Sequence, residues 1–195
     1  MVEDTGRNLT QYVKGSLLDT AKKESVSLAE AFLGADLIVI TDVSGSMAAT
    51  DSRDGKSRYE VACEELAKLQ ASHPGKVALL AFSDTVQFCP TGVPVYIGSG
   101  TDLAEALRFA KVADVPGIRF VVISDGYPDN GPQALAVART YSGRIDTIYT
   151  GPLDLTDGLA FLRELAEASG GAQTTAERAE ELADAVERLY LTSRS

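Results

Sequence analysis

Five oxygen-bearing side chains stand just beyond apolar stretches of this sequence or at the start of a predicted helix. They are Asp42, Ser44, Ser46, Thr101 and Asp125. The first three alternate within "ITDVSGSM", residues 40–47, where an apolar run ends. Oxygen donors without thiols or imidazoles suit a hard divalent cation such as Mg2+, which prefers octahedral oxygen coordination and keeps several waters. These residues therefore predict a Mg2+ site, with Mn2+ or Ca2+ as alternative ions.

Each of these residues also has an ordinary structural explanation. Serine and threonine hydroxyls cap helix N-termini, and aspartates cap helices and turns. For any one residue alone, that explanation remains open. All five at one edge of one sheet favour the cation site.

Four apolar runs predict the strands that would bring these side chains together. They cover residues 35–41, 76–82, 118–124 and 144–150. The first three runs are nearly continuous in Val, Ile, Leu and Phe, as in strands buried on both faces of a parallel sheet. Ligands of such a sheet bind beyond the carboxyl ends of the strands. The five oxygen donors are expected to converge at that edge.

Apolar residues three and four positions apart predict helices between and after the strands. These helices cover residues 58–72, 102–111 and 157–171, the last ended by Gly170. Strands that alternate with helices predict an α/β sheet with right-handed crossovers.

Shorter predicted elements lie at the edges of this pattern. "GAQTT", residues 171–175, predicts a short strand, and Thr174 with Glu177 forms the capping box of a final helix. The pieces "TVQFCP" and "VPVYIG", residues 85–90 and 93–98, predict a hairpin or an edge strand, because their prolines disfavour a central strand.

The N-terminal residues precede the alternating pattern. Residues 8–33 predict a helical segment in two parts, with Tyr12 and Val13 in the first part and Gly34 ending the second. The sequence therefore predicts an N-terminal helical extension at 1–34, followed by one α/β domain at 35–195.

Composition excludes several classes of partner. A net charge of -10, from 18 basic and 28 acidic residues, argues against nucleic acid, because phosphate binding needs clustered lysines and arginines. No apolar run approaches the roughly 20 residues that span a bilayer, and the N-terminus does not resemble a secretory signal. Cys63 and Cys89 have no metal-site spacing and are expected to be buried thiols, which suits the reducing cytoplasm. We expect a cytoplasmic protein with no membrane partner.

The motifs "DVSGS", "GTDL" and "ISDGYPDN" resemble the three parts of the metal-ion-dependent adhesion site of von Willebrand factor type A domains. The resemblance covers about residues 35–191. It implies a Rossmann-like three-layer sandwich, with helices on both faces of a mostly parallel sheet that has one antiparallel edge strand. It also implies that Ser44 and Ser46 coordinate the cation and that Thr101 does so directly or through water. Asp42 and Asp125 would hold bound waters and orient the hydroxyls.

The family resemblance implies a non-enzymatic protein-binding module. A cation held mainly by neutral hydroxyls remains an electrophile that can accept an Asp or Glu carboxylate from a protein partner. The setting it implies is an intracellular multiprotein assembly, with an AAA+ ATPase or another assembly subunit as the partner.

The alternative function is a Mg2+-dependent hydrolase or phosphotransferase, which needs a nucleophile or a base beside the metal. A haloacid-dehalogenase-like phosphatase would have a second aspartate at position 44, where this chain has serine. The single histidine, His73, precedes a strand and is expected at the opposite edge of the sheet, as a turn or helix-end residue.

Overall fold

A computed structural model of the protein describes residues 12–154, 156–176 and 181–191. Within these residues the strands are β1 (Leu37–Asp42), β2 (Val77–Phe82), β3 (Val86–Phe88), β4 (Arg119–Ser124), β5 (Ile145–Tyr149) and β6 (Gln173–Thr175). They form one sheet in the order β3-β2-β1-β4-β5-β6. All neighbouring strands are parallel except β3, which pairs antiparallel with β2 at one edge. The predicted mostly parallel sheet with one antiparallel edge strand is confirmed.

The helices in the described residues are α1 (Leu17–Glu24), α2 (Leu28–Leu33), α3 (Arg58–Ser72), α4 (Leu103–Ala110), α5 (Gly131–Ala138), α6 (Thr156–Ser169) and α7 (Leu182–Leu191). Apolar residues of α4, α5 and α6 cover one face of the sheet, and those of α3 and α7 cover the other. Because successive strand side chains point to opposite faces, Ile38 and Ile40 of β1 enter one apolar cluster while Leu37 and Val39 enter the other. The continuous apolar runs follow from this burial on both faces, and the predicted three-layer α/β sandwich is confirmed.

One prediction about local structure is wrong, one is confirmed only in part, and one helix was not predicted. Thr174 lies in β6 and does not cap a helix, because α7 begins only at Leu182; Glu177 lies outside the described residues. Residues 93–98 are a loop, so the two pieces form no hairpin, but the first contains β3, the antiparallel edge strand that was the other predicted alternative. Helix α5 was not predicted, since its short, alanine-rich stretch after Pro132 has a weak apolar period.

The N-terminal segment forms two helices, but the first begins later than predicted. Tyr12 and Val13 precede α1, which starts at Leu17 after the side chain of Ser16 accepts a hydrogen bond from the backbone N–H of Asp19. Residues 8–11 lie outside the described part. Helix α2 ends at Gly34 as predicted.

The segment before α1 lies directly against other parts of the chain. The backbone N–H of Val13 donates to the carbonyl of Thr91 over 2.8 Å, beside the edge strand β3. Gly15 adopts a φ of +82°, and a Cβ atom there would lie 2.1 Å from the carbonyl oxygen of Gln70. Only glycine allows this close approach of the N-terminal segment to α3. No helix within the described ranges is long and apolar enough to cross a membrane.

Candidate metal centre

The two aspartates of the predicted site lie side by side at the carboxyl edge of the sheet. Asp42 is the last residue of β1, and Asp125 directly follows β4, the parallel neighbour of β1. Ser124, at the end of β4, donates a hydrogen bond from its hydroxyl to Asp42 Oδ2 over 2.6 Å. Strand pairing therefore brings together residues that are 82 positions apart in the sequence.

The loop after β1 carries both predicted serine ligands. Asp42 Oδ1 accepts a 2.8 Å hydrogen bond from the backbone N–H of Ser44, which turns the chain sharply. The Ser44 and Ser46 hydroxyl oxygens then lie 3.1 Å apart, and Ser46 Oγ donates to Asp125 Oδ1 over 2.7 Å. Four of the five predicted residues are thus connected by hydrogen bonds.

Thr101, the fifth predicted residue, lies on a loop that backbone hydrogen bonds connect to the other parts of the site. Its backbone N–H donates to Asp129 Oδ2 over 2.7 Å, which ties it to the loop after β4. The same loop contacts the serine segment, because Gly45 N–H donates to the carbonyl of Ser99 over 3.4 Å. At Gly100, a Cβ atom would lie 2.2 Å from Asp84 Oδ1 and 2.6 Å from Asp129 Oδ2, so a larger residue there would displace these two carboxylates.

Helix capping does not account for the hydroxyl residues. The N-cap of α4 is Asp102, whose side chain accepts from Glu105 N–H over 3.0 Å, so Thr101 stands one position before the cap. Ser44 precedes the short 3-10 turn Gly45–Ala48 but makes no side-chain capping bond to it. Asp42 does stabilise a turn, through Ser44 N–H, and in its case the two explanations are compatible.

An arginine that the sequence analysis did not select is part of this site. Arg58, the first residue of α3, donates from Nη1 to Asp125 Oδ2 over 2.7 Å. Its Nε and Nη2 atoms donate to the two carboxylate oxygens of Asp51 over 2.9 and 2.7 Å. Arg58 is only 7% exposed. These two carboxylates raise the pKa of Arg58, the hydrogen bonds to Asp51 most strongly.

The site has more negative than positive charge. Asp42 and Asp125 are 1% and 3% exposed, and burial raises the pKa of the Asp42 carboxyl to about 6, although hydrogen bonds from Ser124 and Ser44 partly oppose this. Asp42, Asp51 and Asp125 carry three formal negative charges against one positive charge on Arg58, a balance of -2. Buried carboxylates without full compensation are costly, and a divalent cation would bring the balance to zero. The all-oxygen donor set and this charge deficit fit a hard divalent cation.

The raised pKa of Asp42 predicts how the stability of the chelated protein depends on pH. The Asp42 carboxyl has a pKa of about 6 in the folded state, against an ordinary value of 3.8. The protonated carboxyl therefore adds to the free energy of unfolding. This contribution, about 3 kcal/mol, is full below pH 3.8 and is lost as the pH rises through 6. About half of this stabilisation is lost between pH 5 and 7.5. Urea unfolding in chelator should show this fall in wild type and a flatter profile in Asp42→Asn; parallel profiles would contradict the assignment.

The known proteins that this chain resembles are solved structures with a similar fold. No protein-family model and no curated protein matches this sequence. Solved structures do match: an aerotolerance-related membrane protein from Bacteroides fragilis has a TM-score of 0.65 at 19% identity, over 82% of this chain and 100% of that one. BatB from Bacteroides thetaiotaomicron has a TM-score of 0.61 at 17% identity, over 83% of this chain and 100% of that one.

A third match is the manganese-loaded TRAP protein of Plasmodium vivax, with a TM-score of 0.53 at 15% identity, over 80% of this chain and 72% of that one. This chain has a von Willebrand factor type A-like fold. At such low identities the likeness concerns the fold, and the chemistry of the site rests on this chain's own residues.

Proposed function

We propose that the protein is a non-enzymatic, metal-dependent protein-binding module. A Mg2+ ion held by Ser44, Ser46 and Thr101 would accept an Asp or Glu carboxylate from a partner protein. The observation that carries the proposal is the hydrogen-bonded chain from Ser44 through Ser46 to Asp125, which gathers oxygen donors at the carboxyl edge of the sheet. The manganese-loaded state of the Plasmodium vivax neighbour supports a divalent cation in this fold.

The residues of the site have separate tasks in this proposal. Asp42 fixes the backbone at Ser44, and Asp125 accepts a hydrogen bond from the Ser46 hydroxyl, so the remaining lone pairs of the serine oxygens are available to a cation. When bound, the divalent cation supplies an electrophilic centre for a carboxylate. Gly45 and Ser46 are exposed while both aspartates are buried, so a partner can approach from the serine side.

The proposed partner is a protein subunit that presents an acidic residue. The cation reverses the local sign of charge, so an acidic protein can bind an acidic side chain. The family resemblance favours an intracellular assembly, with an AAA+ ATPase or another subunit as the partner. The placement of His73 supports binding over hydrolysis, because this residue ends α3 before β2, at the edge of the sheet away from the aspartates.

Cation binding should stabilise the fold. Addition of Mg2+ to the chelated protein, to a hundredfold excess over the dissociation constant, should raise the free energy of unfolding by about 2.7 kcal/mol. The double variant Ser44→Ala with Ser46→Ala should lose most of this gain. Ser72→Ala, an exposed serine of α3, is the matched control and should keep it. Equal stabilisation of wild type and the double variant by Mg2+, measured by thermal unfolding, would contradict the assignment of Ser44 and Ser46 as ligands.

The binding function has its own experiment. A partner should be retained from the native cell extract by wild type with Mg2+ and released by chelator, and Ser44→Ala should retain none. Mg2+-dependent turnover of a generic phosphate ester that disappears in Ser44→Ala would replace this proposal with the hydrolase alternative.

A further inference from the structure

The carboxylate of Asp125 divides its two oxygens between a predicted metal ligand and a fixed positive charge. Oδ1 accepts from the Ser46 hydroxyl over 2.7 Å, and Oδ2 accepts from Arg58 Nη1 over 2.7 Å. The Asp125 side chain has no exposed surface. A single carboxylate therefore separates the guanidinium from the oxygen expected to bind the cation.

The guanidinium is held from its other side as well. Asp51 accepts two hydrogen bonds from Arg58, and its side chain is 36% exposed against 8% for that of Arg58. The loop that carries Asp51 is itself fixed on α3, because Arg53 forms ion pairs with Glu64 and Glu65 at 2.8 and 2.9 Å. Arg58 is thus a fixed charge at the site, since a planar guanidinium bonded on two edges cannot readily turn away.

A fixed positive charge has two opposite effects on a neighbouring cation site. It orients Asp125, and through Asp125 the Ser46 hydroxyl, which favours binding. It also repels the incoming cation and neutralises one of the carboxylates that attract it, which opposes binding. Asp125 is already oriented by Ser46, so the repulsive effect should dominate the affinity.

We infer that Arg58 is a positioning residue that acts as the counter-charge of the metal-free site. It pairs with Asp125 when no cation is present and lowers the affinity of the site for a cation, and Asp51 sets how strongly it does so. This inference rests on the proposed metal-dependent function and deepens it.

The charge balance predicts the order of Mg2+ affinity among wild type and two variants. With Arg58 the four charged groups sum to -2; Arg58→Met makes the sum -3, and Asp51→Asn makes it -1. Arg58→Met should therefore bind Mg2+ about tenfold more tightly than wild type, since one unit charge at this range is worth about an order of magnitude in affinity. Asp51→Asn should bind a few-fold more weakly, the smaller effect following from the exposure of Asp51.

The experiment is Mg2+ titration of the full chain by calorimetry at low ionic strength, with thermal unfolding of each variant in chelator. Arg58→Met should melt several degrees lower in chelator, because it leaves the Asp125 charge buried and unpaired. Arg58→Lys keeps the charge and should bind Mg2+ within about threefold of wild type. Arg139→Met is the control, as it removes an exposed arginine ion pair, with Glu164 at 3.8 Å, that involves neither Asp51 nor Asp125, and its Mg2+ affinity should be unchanged.

The outcomes separate the inference from the function on which it rests. A merely structural Arg58 would make both Arg58→Met and Asp51→Asn bind more weakly, and that result overturns the inference alone. Asp51→Asn provides an independent arm if Arg58→Met does not fold: unchanged or tighter binding in it overturns the inference as well. If wild type and every variant fail to bind Mg2+, the proposed function falls together with the inference.

Discussion

Asp42→Asn should lower the affinity for Mg2+ by about 10–100-fold, the usual effect of removing a carboxylate that orients metal ligands. The same substitution should make the chelated protein more stable at neutral pH. Asp42 is 1% exposed, and burial raises the pKa of its carboxyl to about 6, so at neutral pH the folded state holds a poorly solvated charge. Asparagine has the same shape and removes that charge. Opposite signs for stability and affinity are expected of a residue retained for its ligand.

The hydrogen bonds of Asp42 make asparagine the right replacement. One carboxylate oxygen accepts from Ser44 N–H, which the asparagine carbonyl can replace. The other accepts from the Ser124 hydroxyl, which can rotate and accept from the asparagine amide instead. Asp42→Ala would remove the acceptor of both hydrogen bonds. A loss of Mg2+ binding in that variant could then result from a disturbed fold.

Thermal unfolding in chelator and calorimetric Mg2+ titration measure the two effects. Asp54→Asn is the matched control: Asp54 is exposed on the loop after the serines, and its left-handed backbone conformation suits asparagine. It should change neither quantity. Lower stability of Asp42→Asn in chelator together with unchanged Mg2+ affinity would assign Asp42 to the fold and not to the cation.

The sheet was predictable because its central strands carry a strong and simple signal. Residues 37–42 and 77–82 are buried at every position, so both faces select apolar side chains. Helix α5 lacked such a signal. It is eight residues long, begins with glycine and proline, and buries mostly small side chains. Its position is set by packing against α4 and α6 more than by its own pattern.

The site was predictable only where topology alone brings residues together. Asp42 and Asp125 follow adjacent parallel strands, so any reader of the strand pattern can place them at one edge. Arg58 gave no comparable signal, because its ion pair joins a helix start to a loop 67 positions away and depends on the path of the intervening chain. An arginine directly after a polar loop is usually a solvated helix residue, and only the structure shows it buried.

The second large effect is expected far from the cation. Leu17→Ala in α1 should lower the free energy of unfolding by about 2–5 kcal/mol, the usual cost of emptying a buried leucine site. Leu17 is 1% exposed and belongs to the apolar cluster that includes Ile38 and Leu107. The helix is further held by Leu18 N–H, which donates to the carbonyl of Pro90 over 2.9 Å.

Leu33→Ala is the matched control, since Leu33 lies in the neighbouring helix α2 and is 82% exposed. Its cost should be within about 0.5 kcal/mol. Urea unfolding of both variants tests the boundary predicted at residue 34. A single transition that shifts as a whole in Leu17→Ala would mean that the N-terminal helices fold together with the sheet, because an independent extension would lose its own structure and leave the main transition in place. A separate early transition, with the main one unmoved, would instead mark residues 1–34 as an extension that folds apart from the α/β domain.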